Sequence, residues 1–192
     1  MTINIISSAC RWVYDKFVYS EHLEVDKVDF DIISEVWKQQ LWPNRKSEIR
    51  PMSSMQFLGG TDMSIYEKYV PSFWAVFDND NIIGVNSGFA TADIRYRSRG
   101  IWVDPDYRNK GIAQLLFDQI DKQAKQENKS VCWSIPRKTA LPAYEKAGYV
   151  KCSDWFDEGM EFGPNCYVKK SIFHGKTGYP HSQRSFRSSR HC

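Results

Sequence analysis

A short basic segment in the second half of the chain has the residue types that bind phosphate groups. The apolar run Ile101-Trp102-Val103 is stopped by Asp104-Pro105, and a basic turn, residues 108–113, leads into an amphipathic run. A helix that begins at Gly111 has first-turn N–H groups without intrahelical acceptors, and its dipole favours an anion there. The sequence therefore predicts an anion-binding turn formed by Arg108, Asn109, Lys110, Gly111, Ile112 and Ala113.

Three predicted strands must position this basic turn. Residues 72–77 and 82–89 are apolar runs joined by Asp78-Asn79-Asp80-Asn81, which predicts a β-hairpin. A third strand over residues 94–103 follows a short connection, so the three strands are expected to be antiparallel neighbours. Along this third strand Arg95, Arg97 and Arg99 alternate, and alternation places them on one face.

A helix and a second segment of strand and helix are predicted after the basic turn. Apolar residues recur at three- and four-residue spacing from Ile112 to about Gln126, which predicts an amphipathic helix. A strand is predicted over residues 131–135. The next helix is expected to take Thr139 as its N-cap and to end at Gly148, where glycine supplies a left-handed stop.

Further elements are predicted at the two ends of this central region. Residues 149–155 and 166–173 have the composition of a final pair of strands. Near the N-terminus, Asp29 or Asp31 can cap a helix that stops at Trp42-Pro43. The order of strands and helices indicates an α/β fold with a mixed sheet.

Composition limits the class of protein. The 192 residues are 42% hydrophobic and 26% charged, as expected for one globular domain. The net charge of +3 arises from residues 174–192, which contain four basic residues and no acid. We expect a single domain over residues 1–173 and a flexible basic tail over residues 174–192. Contact of this tail with nucleic acid is the minority alternative.

Targeting and cysteine patterns point to a reducing compartment. No apolar run approaches the roughly 18 residues of a membrane span, and the N-terminus lacks the basic region of a signal peptide. We therefore expect a cytoplasmic protein without a membrane partner. The odd number of cysteines, without C-x-x-C spacing, indicates free thiols and neither zinc nor a disulfide framework. They are Cys10, Cys132, Cys152, Cys166 and Cys192.

Two motifs follow one another along the chain. The first is Val103-Asp104-Pro105-x-x-Arg108-x-x-Gly111-x-Ala113, after a strand. The second is Ala140-x-x-Ala143-Tyr144-Glu145-Lys146-x-Gly148-Tyr149, on a predicted helix. Either motif alone is common, but in this order they resemble the GNAT superfamily of acyl-CoA-dependent N-acyltransferases, over roughly residues 72–173. The resemblance implies a mixed, mostly antiparallel central sheet flanked by helices and splayed at the cofactor site.

The resemblance also implies roles for individual residues. The basic turn would hold the pyrophosphate of acetyl-CoA, with charge added by Arg108 and Lys110, and no metal would be needed. The pantetheine arm would pair with the unpaired backbone of Ile101, Trp102 and Val103 at the splay, and the same backbone would stabilise the oxyanion. Tyr144 would protonate the departing thiolate. Arg137 stands where the family often has an asparagine, and it is expected to reach the cofactor through a phosphate instead.

The acceptor side is less determined by the sequence. No base is assigned, since Asp93, Glu67 and the acids of residues 154–161 are equivalent candidates. The aromatic and basic residues of the family's acceptor region favour an anionic acceptor, either a small molecule or a protein amine. They are Trp37, Trp42, Arg45 and Arg50.

Three further alternatives stay open. Direct attack in a ternary complex is expected, although Cys132, on a predicted strand beside the cofactor, leaves a covalent route to be tested. A function from another class is a CoA-binding or partner-binding module without catalysis, since a fold does not fix a function. The sequence also leaves open whether the chain forms a homodimer.

Overall fold

Seven strands form one sheet in the computed structural model, which describes residues 23–52 and 68–172. The strands are β1 (Leu23–Lys27), β2 (Ser72–Asp78), β3 (Asn81–Ala92), β4 (Arg95–Val103), β5 (Val131–Ser134), β6 (Val150–Lys151) and β7 (Val168–Ser171). The helices are α1 (Phe30–Val36), which continues into a π-helical turn (Trp37–Leu41), a 3₁₀ turn (Pro105–Tyr107), α2 (Ile112–Gln126) and α3 (Leu141–Lys146). Glu67 and the basic tail lie outside the described residues.

The sheet is mixed and mostly antiparallel, which confirms the predicted fold class. Its strand order is β1-β2-β3-β4-β5-β7-β6, and β4 with β5 is the one parallel pair among the described strands. The predicted hairpin is β2–β3, and α2 has the predicted bounds. No helix in residues 23–52 or 68–172 has the length and apolar character to cross a membrane.

Two sequence predictions need correction. The N-cap of α3 is Ala140 instead of Thr139, because the Arg137 carbonyl accepts from the N–H groups of Ala140 at 3.0 Å and Leu141 at 3.1 Å. These bonds make residues 137–140 a separate turn before the helix. The first strand of the predicted final pair is also shorter than expected, since of residues 149–155 only Val150 and Lys151 pair with β7.

Apolar side chains pack on both faces of the sheet. On one face the apolar stripe of α2, including Phe117 and Ile120, packs on Tyr96 of β4. On the other face α1 and the π-helical turn bury Ile33 and Trp37 completely. The register of the strands between these layers is fixed, because a one-residue slip would exchange the side chains of the two packed faces and disrupt the contacts with both layers.

A bulge and a divergence of strands give β4 its shape. Between the pairs Ser87↔Arg99 and Val85↔Trp102, β4 has one residue more than β3, so the strand bulges there. The pairing of β4 with β5 extends only from Arg95↔Val131 to Arg97↔Trp133, although β4 continues to its end six residues later. The last part of β4 therefore separates from β5, and a cleft opens between the two strands.

Candidate active site between the diverging strands

A cavity of about 410 Å³ lies at the cleft between β4 and β5. Its walls come from β4, the segment after β5, the start of α3, and two loops, residues 41–47 and 159–162. Among the predicted site residues, Ile101, Arg137 and Tyr144 line it, whereas the basic turn does not. The structure thus has two separate features, a cavity with a phenol in its wall and a turn whose backbone donors meet no acceptor among the described residues.

Tyr144 is held at the cavity wall by the end of β5. The tyrosine is 3% exposed, and its hydroxyl oxygen lies 3.0 Å from Ser134 Oγ. The one hydroxyl hydrogen of Ser134 has two acceptors in reach, this oxygen and the Ser98 carbonyl of β4, which lies 2.7 Å from Oγ. Burial raises the pKa of Tyr144, while the hydrogen bond from Ser134 opposes part of this rise. Tyr144 therefore keeps its proton at neutral pH and has it to give.

Aromatic packing fixes the orientation of the Tyr144 ring. Its centroid lies 4.8 Å from that of Phe117 and 5.2 Å from that of Tyr149, with interplanar angles of 62° and 81°. Edge-to-face pairs of this kind prefer one geometry and limit ring motion. The neighbouring Tyr149 is 2% exposed but does not line the cavity.

The β4 bulge depends on a contact from the N-terminal segment. Gly100, in the bulge, has a φ of +73°, in the left-handed region that favours glycine. The Trp37 indole Nε1 donates to the Gly100 carbonyl at 2.7 Å. A Cβ atom on Gly100 would overlap the Trp37 ring, so the site has no room for a side chain.

Where β5 has diverged from β4, alternate residues of β4 direct their backbone N–H and C=O groups into the cleft. The N–H group of Asp104 donates to the Ile83 carbonyl of β3 at 2.9 Å, so Asp104 faces β3. Because successive residues of a strand direct their backbone groups to opposite edges, Trp102 also faces β3, while Ile101 and Val103 face the cleft. Of the three residues predicted to offer free backbone, Trp102 is therefore the exception.

The basic turn leaves backbone donors without an acceptor among the described residues at the start of α2. Asn109 and Gly111 have φ values of 62° and 88°, and Gly111 is the N-cap of α2. The Gln114 N–H donates to the Gly111 carbonyl at 2.9 Å, but no described residue accepts from the N–H groups of Ile112 or Ala113. Unpaired N–H groups at a helix N-terminus are the kind of backbone donors that bind anions, so the predicted anion site stays a prediction here.

Two basic side chains flank this turn. Arg108 Nε donates to the Val103 carbonyl at 3.2 Å, and Lys110 Nζ lies 5.0 Å from the centroid of the Tyr107 ring. The Tyr107 hydroxyl donates in turn to Asp78 at 2.5 Å. Arg108 thereby connects the turn to the end of β4, next to the cleft-facing backbone of Ile101 and Val103.

Glu161 is the acid that the structure brings to the cavity. Asp93 lies in the β3–β4 turn, 3.2 Å from Lys68 Nζ, and does not line the cavity. Glu161 accepts from Ser47 Oγ at 2.6 Å and from the Lys46 N–H. Above all the hydrogen bond from Ser47 holds the pKa of Glu161 below its usual range, which makes it a weak base. Only tertiary structure distinguishes Glu161, because its loop has no regular spacing.

The predicted acceptor-side residues are divided by the structure. Trp42 and Arg45 line the cavity, and Trp37 lies behind the β4 bulge. Arg50 is exposed, pairs with Glu48 at 2.7 Å and does not line the cavity. The cavity gains Arg97 and Arg99 instead, which the sequence had placed together on one face of β4 without assigning them to a site.

Cys132 is not placed as a nucleophile. Its side chain is completely buried in the core against β4, and it does not line the cavity. Burial raises the pKa of the Cys132 thiol, so the reactive thiolate is not formed at neutral pH. Cys132 and Cys166 are buried free thiols.

Replacement of Cys132 by alanine is expected to leave acyl transfer within about threefold of wild type, because a buried strand cysteine acts as a small apolar residue. Steady-state release of free CoA thiol measures this, with the unfolding midpoint as a control for the core. An acetylated Cys132 in the mass spectrum of wild-type protein incubated with acetyl-CoA alone would contradict the direct route.

Comparisons with known proteins agree with this architecture. Residues 71–151 match the family model described as an acetyltransferase (GNAT) domain. A search of curated proteins finds no match to the chain. Among solved structures, a GNAT-family acetyltransferase from Staphylococcus aureus Mu50 is similar at 15% identity and a TM-score of 0.57, over 79% of this chain and 99% of that one.

Other solved structures share the fold at similar distance. Ard1 from Thermoplasma volcanium has 13% identity and a TM-score of 0.57, over 80% of this chain and 99% of that one. An acetyltransferase from Streptococcus agalactiae 2603 has 12% identity and a TM-score of 0.55, over 79% of this chain and 99% of that one. The matched domain over residues 71–151 and the shared sheet confirm the resemblance seen in the sequence: this part of the chain is similar to an acetyltransferase (GNAT) domain, and the fold is shared with solved acetyltransferases.

Proposed function

We propose that this chain is an acyl-CoA-dependent N-acyltransferase that moves an acetyl group from acetyl-CoA to an amine by direct attack in a ternary complex. The observation that carries the proposal is the buried, protonated phenol of Tyr144 in the wall of a cavity that opens where β4 separates from β5. A proton donor at such a place suits a reaction that expels a thiolate.

The chain has the groups that acetyl-CoA requires. The N–H groups of Ile112 and Ala113 and the dipole of α2 suit a pyrophosphate, with the charges of Arg108 and Lys110 beside them. The backbone of Ile101 and Val103 offers an edge for an extended amide-containing arm. When bound, acetyl-CoA supplies the thioester whose acyl group is transferred.

The polar groups at the cavity then have the following roles in the reaction. The neutral amine nitrogen forms a bond to the acyl carbon as the carbon–sulfur bond breaks, and the sulfur takes the Tyr144 proton. The proton that the nitrogen loses passes to solvent, and the phenolate regains a proton from solvent after the product leaves. The Ser134 hydroxyl stabilises the phenolate that remains. Cleft-facing N–H groups of β4 stabilise the negative charge that develops on the acyl oxygen. We assign no base, because the lowered pKa of Glu161 makes it a poor proton acceptor.

Gly111 tests the donor site. We expect Gly111→Asp to raise the Kd for acetyl-CoA at least about 10-fold, because a carboxylate beside a pyrophosphate is repelled. Isothermal titration with acetyl-CoA measures this. Gly111→Asn is the matched control, since asparagine has the same size and tolerates a positive φ. A Cβ at Gly111 meets no described atom within 4 Å, so both variants should fold. Equal loss of affinity in both would refute a phosphate at this turn.

Catalysis itself is tested by release of free CoA thiol from acetyl-CoA in the presence of an amine panel. Release that depends on the amine supports an acyltransferase. Tight acetyl-CoA binding without release for any small amine or N-terminal peptide would instead support a CoA-binding module on the same fold.

A further inference from the structure

The cavity has an unusual excess of positive charge. Its described lining contains four guanidinium groups and one carboxylate, that of Glu161. Arg97 and Arg99 are only 7% and 6% exposed. Of Arg45 and Arg137, only Arg45 has a described carboxylate within salt-bridge distance, that of Glu161, so the wall at Arg137 favours the binding of an anionic group. The four arginines are Arg45, Arg97, Arg99 and Arg137.

Two of these arginines are held in place while most of their N–H groups face no acceptor. The Arg45 guanidinium lies 4.7 Å from the Trp42 ring centroid, and that of Arg137 lies 4.8 Å from the Phe162 ring centroid. Arg45 donates through Nε to Ser47, and Arg137 donates through Nη2 to the Leu41 carbonyl at 3.3 Å. Within residues 23–52 and 68–172, no hydrogen-bond acceptor meets the Nη groups of Arg45 or Nη1 of Arg137. Stacked guanidiniums with such donors suit a carboxylate or a phosphate.

The two guanidiniums also act on each other. Burial, and after it the positive charge of Arg45, lower the pKa of Arg137. Arginine nevertheless stays charged, since its ordinary pKa lies far above neutral. Two like charges at one cavity wall repel, and an anion that contacts both removes this repulsion. The carboxylate of Glu161 lies 3.8 Å from Arg45 Nε, so it compensates the charge of Arg45 but not that of Arg137.

A third guanidinium stiffens the same wall. Arg99 Nη1 donates to the Arg50 carbonyl at 2.8 Å, and its Cζ lies 4.7 Å from the ring centroid of Trp37 and 5.0 Å from that of Trp42. Trp42 is therefore packed between the segment that carries Arg45 and the strand that carries Arg99. This packing fixes the anion-facing wall before any ligand arrives, which lowers the entropy cost of binding.

We infer that the acceptor is an amine that also carries an anionic group, a carboxylate or a phosphate, and that Arg45 and Arg137 bind this group. The inference rests on the proposed acyltransferase function and names the acceptor class for the same cavity. It also assigns Arg137 to the acceptor, whereas the family resemblance had assigned it to the cofactor. The two assignments differ in which ligand loses affinity when Arg137 is changed.

The test compares matched acceptors that differ in charge. Thiol release is measured with ethanolamine, phosphoethanolamine, β-alanine and β-alaninamide at saturating acetyl-CoA. The KM values of the two anionic amines should be at least about 10-fold below those of their neutral partners, as expected for charge-assisted hydrogen bonds. Whether phosphoethanolamine or β-alanine has the lower KM identifies the anionic group.

Single substitutions show which arginines produce the preference for anionic amines. Arg137→Gln and Arg45→Gln should raise the KM of the preferred anionic amine about 10- to 100-fold while the neutral amines and the Kd for acetyl-CoA change little. Arg50→Gln, in the same segment but exposed and paired with Glu48, is the matched control and should change neither. Equal use of neutral and anionic amines, or a rise in the acetyl-CoA Kd without a change in acceptor KM, would overturn the inference.

A binding measurement separates this inference from the proposed function. With CoA bound, phosphoethanolamine or β-alanine should raise the Tm, and Arg137→Gln should abolish this rise. If that result appears without thiol release, acyl transfer fails while the anion site stands. If neither anionic amine raises the Tm or is turned over, while another amine is turned over, the inference fails and the acyltransferase stands. If no amine is turned over and neither anionic amine raises the Tm, both fail.

Discussion

Replacement of Tyr144 by phenylalanine is expected to lower kcat for acetyl transfer by about 100-fold or more, as for loss of a positioned general acid. The substitution removes one hydroxyl from a ring that Phe117 and Tyr149 hold in place, so the cavity should keep its shape. The Kd for acetyl-CoA should change little, because the basic turn is separate from the cavity. Thiol release and titration with acetyl-CoA measure the two quantities.

Tyr149→Phe is the matched control for this experiment. It removes the same group from the same aromatic cluster, and that hydroxyl has no hydrogen-bond partner among the described residues. The control should therefore keep kcat within about threefold of wild type, as is usual away from the reacting atoms. A similar fall in both variants would indicate a packing effect, and an unchanged kcat in Tyr144→Phe would remove the general-acid role.

Gly100→Ala is expected to destabilise the fold strongly, through both its backbone and its new side chain. A non-glycine residue at a φ of +73° costs about 1 kcal/mol, and overlap of the new Cβ with the Trp37 ring adds about 1–3 kcal/mol. The free energy of unfolding, measured in urea, should fall by the combined amount. Activity should fall further than the folded fraction explains, because Gly100 shapes the cleft-facing edge of β4.

The control for Gly100 isolates the steric effect. Gly148 has a φ of +86°, but a Cβ there meets no described atom within 4 Å. Gly148→Ala should thus lose only about 1 kcal/mol, the backbone contribution. If Gly100→Ala is no more destabilising than Gly148→Ala, the tight contact with Trp37 is not important for stability.

Local sequence signals predicted the elements that have strong periodicity or strong stops. The apolar spacing of α2 indicated its bounds, and the turn between residues 77 and 82 indicated the β2–β3 hairpin. The order of the motifs around Gly111 and Tyr144 indicated the resemblance to the GNAT superfamily. Each motif combines a local backbone conformation with residue types that suit binding or catalysis. The prediction of Thr139 as the N-cap of α3 was wrong for a local reason too, since a turn held by the Arg137 carbonyl precedes the helix.

Features that depend on distant segments could not be read from the sequence. The bulge at Gly100 requires Trp37, which is 63 positions away. The convergence of Arg45, Arg99 and Arg137 joins a loop, a strand and a turn that share no spacing. Glu161 became distinct only because Ser47 and Lys46 reach it across 114 and 115 positions. Irregular loops have no regular residue spacing from which such long-range contacts could be predicted.

The bond from Trp37 to the Gly100 carbonyl has a consequence for how acceptor preference can diversify. Trp37 lies outside the family-matched region 71–151, yet it contacts both the bulge and the Arg99 guanidinium. One side chain thus links the segment that carries Arg45, which we propose binds the acceptor, to the strand whose edge we propose binds the acyl donor. Exchange of residues 23–52 for a segment from another acyltransferase should preserve turnover only when the exchanged segment brings an indole to this carbonyl, so the two parts are constrained to evolve together.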